Sequence, residues 1–408
     1  MTLIVQKFGG SSVGTPDRIG LVADRIAKRK KNSGVSLVVV VSAMQGETDR
    51  LLGLAHEVSD KPSSREMDQL LATGEQASAA LLAMALLERG VQACSLTGTQ
   101  MQMRTDGSFS RARILSVNED AIQFLLKEAK VVVATGFQGI DAEGNITTLG
   151  RGGSDTSAVA LAAGLGANEC EIYTDVEGVF TADPRICPRA RKLDVISFEE
   201  MMEMASQGSK VLQIRSVELA MNHNIPIRVR STFTDDPGTL VTSEEQAIEK
   251  LVVRGVSHNS NEAKLTLRRV PDRPGIVADI FSCLAEAGIN VDVIVQNQSE
   301  DGTTDVSFTV GRADLDEAFR LVEKIGPEIG ADRWEKDDSI AKVSIVGVGM
   351  RAHAGVAAAM FRALQKANIN IQMITTSEIK VTCVISREDV ESAVQALHDD
   401  FALEGPAK

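Results

Sequence analysis

The sequence predicts an α/β domain, its mostly parallel sheet sandwiched by helices, followed by two ferredoxin-like βαββαβ modules. Three observations carry this. β-Branched runs alternate with helical patterns through the first half, a polar Pro-Gly stretch follows Arg230, and one segment recurs in the last third. A chain of 408 residues has room for several such cores.

In the first domain, strands are read at Leu3 to Phe8, Ser36 to Val41, Val131 to Thr135, Glu171 to Thr174 and Ile225 to Val229. Their alternation with helices favours a parallel sheet, and the unbroken Val38 to Val41 suits a central strand covered on both faces. From Pro16 to Lys31, Ile19, Val22, Ala23 and Ile26 fall at helical spacing. The stretch STFTDDPGTLVTSEEQ then reads as a hinge, which sets a first domain at 1–232 and a linker at 233–250.

The repeat aligns residues 270–297 with 350–377, placing Gly275 over Gly355, Phe281 over Phe361, Leu284 over Leu364, Asn290 over Asn370 and Ile294 over Ile374. Each copy has a strand before it (Lys264 to Leu267; Lys342 to Val346) and one behind it (Asp305 to Val310; Lys380 to Ile385), the pattern of a ferredoxin-like unit. The modules are bounded at 251–338 and 339–408. The first ends in a strand near Ala331 to Glu335, whereas the second has only Phe401 to Leu403 to offer. A spare strand, Leu251 to Val256, is expected to complete the second sheet and interleave the pair.

Hydrophobic residues at 43% and charged residues at 24% indicate a globular chain. The net charge of -13 argues against nucleic acid as partner, because phosphate-backbone affinity needs clustered cations. The five cysteines are scattered without a C-x-x-C pair, which implies reduced thiols and no zinc site. The N-terminus reads MTLIVQKF, so neither a secretory leader nor a membrane span is expected, and the location is read as cytoplasmic. None of the five histidines suggests a hydrolase triad or a metal cluster.

Three loops carry candidate chemistry. Lys7-Phe8-Gly9-Gly10-Ser11-Ser12 closes the first strand; its glycines admit backbone N–H groups to a phosphate and its lysine brings a mobile charge. A ligand-free glycine turn is the alternative. Gly150-Arg151-Gly152-Gly153-Ser154-Asp155 opens an apolar helix whose N-terminus suits an anion, unless Ser154 or Asp155 is merely an N-cap. The segment Tyr173 to Arg185 follows a strand, where α/β sheets bind ligands, although Tyr173 could equally be a core ring. Ser42 to Thr48 leaves the buried second strand. Thr73-Gly74-Glu75 interrupts a long helical stretch from Arg65 to Leu87, where Glu75 by itself would usually point to solvent.

In series, KFGGSSVG, SAMQGETD, ATGEQ, TLGRGGSDTSA, YTDVEGVFTADPR and GSKVLQIRSVELA follow the order and approximate spacing found in the aspartokinases of the amino-acid kinase superfamily. The duplicated segment resembles their paired ACT domains. The likeness spans essentially the whole chain; the loop after Met44, reading Gln-Gly-Glu-Thr, is its one small departure. It implies transfer of the ATP γ-phosphoryl group to L-aspartate, with Mg²⁺ held mainly through the nucleotide phosphates and no dedicated protein metal site.

By that resemblance Lys7 and Asp155 are catalytic. Lys7, Phe8, Gly9, Gly10, Ser11, Tyr173, Thr174, Val179, Phe180, Thr181, Ala182, Asp183, Pro184, Arg185 and Lys210 would line the nucleotide pocket. Ser42, Thr48, Glu75, Arg151, Gly152, Gly153 and Ser154 would hold aspartate. Lysine, threonine or both would act at an effector shell of Asp272, Gly275, Ile276, Asn290, Val291, Asp292 and Gln296, with its counterpart at Val356, Asn370, Ile371 and Ser377. Asp272 and Asp292 could instead be solvated charges. The resemblance also implies a homo-oligomer joined through ACT domains, and raises a separate C-terminal subunit from an internal start. The alternatives are another kinase of the fold, for glutamate, N-acetylglutamate or a nucleotide, and a non-catalytic amino-acid sensor.

Overall fold

The computed structural model describes residues 2–209, 211–243, 252–298 and 302–404. They divide into two compact units: Met1–Val179 with Lys192–Ala205 and Lys210–Glu249, and Phe180–Arg191 with Ser206–Ser209 and Lys250–Lys408.

The first unit runs β1 (Leu3–Phe8), α1 (Pro16–Ser33), β2 (Ser36–Val41), α2 (Glu47–Val58), α3 (Ser64–Glu88), β3 (Ala93–Leu96), β4 (Arg104–Thr105), β5 (Ile114–Ser116), α4 (Asp120–Lys127) and β6 (Val131–Thr135). It continues through β7 (Gln138–Ile140), β8 (Ile146–Thr148), α5 (Gly153–Gly164), β9 (Glu169–Thr174), β10 (Val195–Ser197), α6 (Phe198–Ser206), α7 (Ile214–His223), β11 (Ile227–Ser231) and β12 (Thr239–Thr242). Eight strands form one sheet in the order β10-β12-β11-β9-β1-β2-β6-β3, parallel except where β11 meets β12. Strand β12 lies inside the stretch expected to be linker: the Pro-Gly turn folds the chain back into the sheet, so this unit extends past residue 232.

Strand alternation divides β1 and β2 between two faces. Ile4, Phe8, Leu37, Val39 and Val41 join the core under α1 and α3 with Ile19, Val22, Ile26, Leu82 and Leu86. Lys7 turns to the opposite face, where α5 lies. Helix α1 starts where Thr15 Oγ1 accepts from the Arg18 N–H at 3.3 Å, with Pro16 in the first turn. Helix α3 runs unbroken through Gly74 for 25 residues. Its mean hydropathy of 1.5 would suit a membrane span, but half of its apolar window is buried within the protein. The buried stripe also carries Asp68, whose oxygens accept from the backbone and hydroxyl groups of Ser110 and Thr148.

The second unit holds β13 (Gly255–Asn259), β14 (Glu262–Pro271), α8 (Ile276–Glu286), β15 (Val291–Gln298), β16 (Thr303–Gly311), α9 (Leu315–Ile329) and β17 (Arg333–Asp337). Then come β18 (Ile340–Val346), α10 (Val356–Lys366), β19 (Met373–Thr376), β20 (Lys380–Ser386) and α11 (Val390–Asp400). The two sheets have orders β15-β16-β14-β17 and β13-β18-β20-β19. The edge position filled by β17 in the first module is therefore filled in the second by β13, which precedes both modules in the chain. That strand begins later than expected, at Gly255, and Leu251 lies outside the described residues. Phe401 to Leu403 forms a turn after α11, not a strand.

Candidate active site

Lys7 ends β1 and Asp155 lies in the first turn of α5; Lys7 Nζ stands 2.6 Å from Asp155 Oδ1, each side chain about one-tenth exposed. The contact is an ion pair lying outside hydrogen-bond alignment. The ammonium thus keeps donors for a further anion. Helix α5 is capped by Gly152, in the left-handed region at φ 72°, and has no side-chain cap. Neither Ser154 nor Asp155 spends its side chain on capping. A Cβ at Gly152 would meet the Gln213 side chain at 1.9 Å, so glycine there is required both by conformation and by packing.

The first loop closes against its neighbours. Gly9 donates its N–H to the Tyr173 carbonyl at 3.2 Å, which removes that amide from phosphate binding. Ser12 Oγ meets Thr232 Oγ1 at 2.6 Å, and Arg18 Nη1 donates to the Ser11 carbonyl at 2.8 Å. Phe8 and Tyr173 stack with ring centroids 4.6 Å apart in the core, and the Tyr173 hydroxyl donates to Glu171 Oε2 at 3.1 Å. Their side chains cannot line a nucleotide pocket, so only their backbones could. This follows from strand alternation, which sends Phe8 to the face opposite Lys7.

The second strand ends at the Ser42 to Gln45 loop, where the Ser42 N–H donates to the Phe8 carbonyl at 3.1 Å. Glu75, 3% exposed, accepts the Ala43 N–H on Oε1 at 2.9 Å, while Oε2 is buried without a partner. Burial pushes its carboxyl up to about 7. Thr48 is half-buried in the first turn of α2, and Arg151 is exposed. Lys7, Asp155, Glu75, Ser42 and the α5 N-terminus thus belong to one unit.

Val179, where the chain leaves that unit, is fully buried. The rest of its loop falls in the second unit. There the Thr181 and Ala182 side chains are also buried, which removes Val179, Thr181 and Ala182 as side-chain contacts to a nucleotide. Asp183 is half-buried and Pro184 and Arg185 are exposed; Arg185 Nη2 bonds Asp183 Oδ2 at 2.7 Å and holds that carboxyl below its ordinary range. Lys210 lies outside the described residues.

In the repeat, Gly275 and Gly355 cap α8 and α10 at φ 101° and 92°. Asp272, Asn290, Gln296, Asn370 and Ser377 are exposed, and Val356 and Ile371 half-buried. The Ile276 side chain lies in the core, because it starts the apolar face of α8, so only its backbone N–H is left to face an effector. Val291 packs against the same core. Asp292 accepts from Lys342 Nζ, a fully buried ammonium that also meets Glu262 at 2.8 Å. One histidine does sit in an acidic cluster: His398, Asp399 and Glu404 place potential ligand atoms within 4.8 Å of one another.

A lysine-aspartate pair between glycine loops at the strand ends of a parallel sheet, followed by two ferredoxin-like modules, defines a small-molecule kinase with regulatory domains. The comparisons agree. The amino acid kinase family matches residues 2–231, and ACT domains match 265–327 and 343–401. The chain is 55% identical to the aspartokinase of Pseudomonas aeruginosa, covering all of this chain and 99% of that one. It is 49% identical to the aspartokinase of Mycolicibacterium smegmatis, over 99% and 97%. Among solved structures, E. coli aspartokinase III in complex with aspartate and ADP matches with a TM-score of 0.80 at 28% identity, covering 98% of this chain and 99% of that one. The same enzyme with lysine and aspartate matches at 0.78 and 29%, with the same coverage. The chain belongs to the aspartokinases.

Proposed function

We propose that the chain transfers the ATP γ-phosphoryl group to the β-carboxylate of L-aspartate, forming 4-phospho-L-aspartate, in the cytoplasm and under feedback control by lysine, threonine or both. The observation that carries the chemistry is the Lys7–Asp155 pair at the mouth of α5. A carboxylate acceptor is ionised at neutral pH and needs no general base. What remains is positioning and charge stabilisation.

Lys7 takes the charge developing on the transferred group, and Asp155 orients that ammonium. Gly10 and Ser11 supply loop donors to the phosphates, with the Gly9 amide already committed to Tyr173. Thr174, Phe180, Asp183, Pro184, Arg185 and Lys210 serve the nucleotide. Glu75, with one oxygen unpartnered, faces the substrate ammonium; Arg151 takes a carboxylate, and Ser42, Thr48 and the Gly152 to Ser154 backbone complete the acceptor site. Asp155 is the carboxylate of the phosphate loops, a hard oxygen donor that suits Mg²⁺ brought in on the nucleotide. That ion would offset phosphate charge.

The effector shell comprises Asp272, Gly275, Ile276 through its backbone, Asn290, Val291, Asp292 and Gln296, with Val356, Asn370, Ile371 and Ser377 as counterpart, and closes between chains of a homo-oligomer. ATP turnover is to be measured with aspartate, glutamate, N-acetylglutamate and a nucleoside monophosphate, and with lysine and threonine added singly and together. Turnover with aspartate alone, lowered by an effector, is the expected result. Preference for another acceptor would overturn it.

A further inference from the structure

Beyond residue 179 the chain leaves the first unit for a short excursion, Phe180–Arg191, that is built into the second. Its neck is pinched by two bonds: the Thr181 N–H donates to the Arg191 carbonyl at 2.8 Å, and the Arg191 N–H to Thr181 Oγ1 at 2.9 Å. Val256 of β13 donates to the Thr181 carbonyl at 2.7 Å. Ala182 and Cys187 join the core of the second ACT module with Val256, Val394 and Leu397. The last helix, α11, and the turn after it clasp the excursion: Gln395 Nε2 donates to the Ile186 carbonyl at 2.9 Å, and Arg189 pairs with Asp399 of the helix and Glu404 of the turn. His398 Nε2 lies 2.9 Å from Thr181 Oγ1, with both residues at 0% exposure.

The acidic cluster beside His398 could suggest a cation site, but Arg189 already engages both of its carboxylates. A different role fits His398. Burial lowers its pKa, which keeps the ring neutral, and its one bond runs to the residue two positions before Asp183. A hydrogen bond in so dry a place is costly to break, since no water replaces the lost partner.

We infer that His398 is a positioning residue for nucleotide binding: through Thr181 it fixes the excursion that presents Asp183, Pro184 and Arg185, so a side chain of the second ACT module sets the affinity for ATP. This rests on the proposed reading of those three residues as nucleotide contacts. The inference assigns His398 no contact with substrate and no part in phosphoryl transfer.

The test uses the full-length enzyme. His398→Phe keeps a ring of similar size without the bond, whereas His398→Gln reaches Thr181 with its amide, as the imidazole does with Nε2. His398→Phe is expected to raise the ATP KM about ten-fold with the aspartate KM unchanged, and His398→Gln to restore most of the loss. Thr181→Val removes that bond together with the one from the Arg191 N–H, so it should raise the ATP KM at least as far as His398→Phe, the double variant being no worse than Thr181→Val alone; it also stands in should His398→Phe fail to fold. Arg185→Ala reports on the underlying reading. An unchanged ATP KM there would refute the nucleotide role of the loop, and with it the inference. A raised ATP KM in Arg185→Ala but not in His398→Phe or Thr181→Val would overturn the positioning role alone. Equal rises in both KM values, without rescue by glutamine, would reduce His398 to a structural residue.

Discussion

The Ala43 amide sits 2.9 Å from Glu75 Oε1, a single bond that joins the end of β2 to the middle of α3 and leaves the second carboxylate oxygen buried and unpartnered. Such an arrangement holds a charge-binding group at the cost of stability. Desolvation raises the carboxyl to about 7, so below neutrality the group is protonated and cannot pair with an ammonium. The aspartate KM should therefore fall as pH rises from 6 to 8, while the ATP KM moves little. Initial-rate titrations across that range would check it; a flat aspartate KM would remove Glu75 from substrate binding.

The same shift has a stability counterpart. With the folded pKa above the unfolded value of 4.5, the folded state binds the extra proton, so stability falls as pH rises from about 4.5 to about 7 and the full penalty persists above it. Glu75→Gln keeps an acceptor for Ala43 without the charge. It should raise Tm at pH 8, the penalty removed being on the order of 3 kcal/mol, while raising the aspartate KM and sparing that for ATP. Calorimetry with paired kinetics separates this from a purely structural carboxylate, whose loss would harm both KM values alike.

Gly74 determines how closely α3 approaches that loop. A Cβ there would come within 2.8 Å of the Ala43 Cβ, and overpacking of this kind typically costs about 1–3 kcal/mol. Gly74→Ala should raise the aspartate KM by shifting the Glu75 carboxylate, with a smaller change for ATP. An unaltered aspartate KM would show that the loop yields instead of the helix.

Lys7→Ala should lower kcat by roughly 10²-fold or more with a smaller change in apparent aspartate binding, because its charge acts most on the transition state. Steady-state kinetics at saturating substrates would decide, and near-normal kcat would exclude Lys7 from the chemistry.

Much of this was legible from sequence, because the signals were local. The Val38 to Val41 run located a covered strand, and the glycine-rich turns placed Lys7 and Asp155 at the ends of elements. The repeat disclosed both modules and the spare strand. What stayed hidden depends on side-chain facing and chain return. Nothing local distinguishes a Pro-Gly linker from the turn that folds β12 back onto β11, nor a ligand loop from an excursion whose Thr181 is buried against His398. The burial of Glu75 and of Asp68 could have been read. They share a helical stripe with Leu71, Ala79, Leu82 and Leu86, and carboxylates on a buried stripe need partners or a function.

Asp292, proposed to meet an effector ammonium, already faces one: Lys342, 1% exposed, lies between Asp292 and Glu262 and so ties β15 of the first ACT module to β18 of the second. The Asp292 side chain is half exposed, so an arriving ammonium can compete with Lys342 for it. Burial raises the Glu262 carboxyl, so this group depends on Lys342 for its charge. Asp292→Ala leaves Lys342 one buried partner and should be tolerated by the fold. Because a coupling of about 1–3 kcal/mol corresponds to roughly 5- to 150-fold in affinity, this variant should weaken inhibition by lysine or threonine within that range while sparing uninhibited kcat. Gln296→Ala, on the same strand, should do so to a smaller extent. Inhibition curves with lysine, threonine and both together are the measurement. If both variants kept wild-type curves in all three conditions, the Asp292–Lys342 pair would be a structural tie between the modules and the effector shell would lie elsewhere.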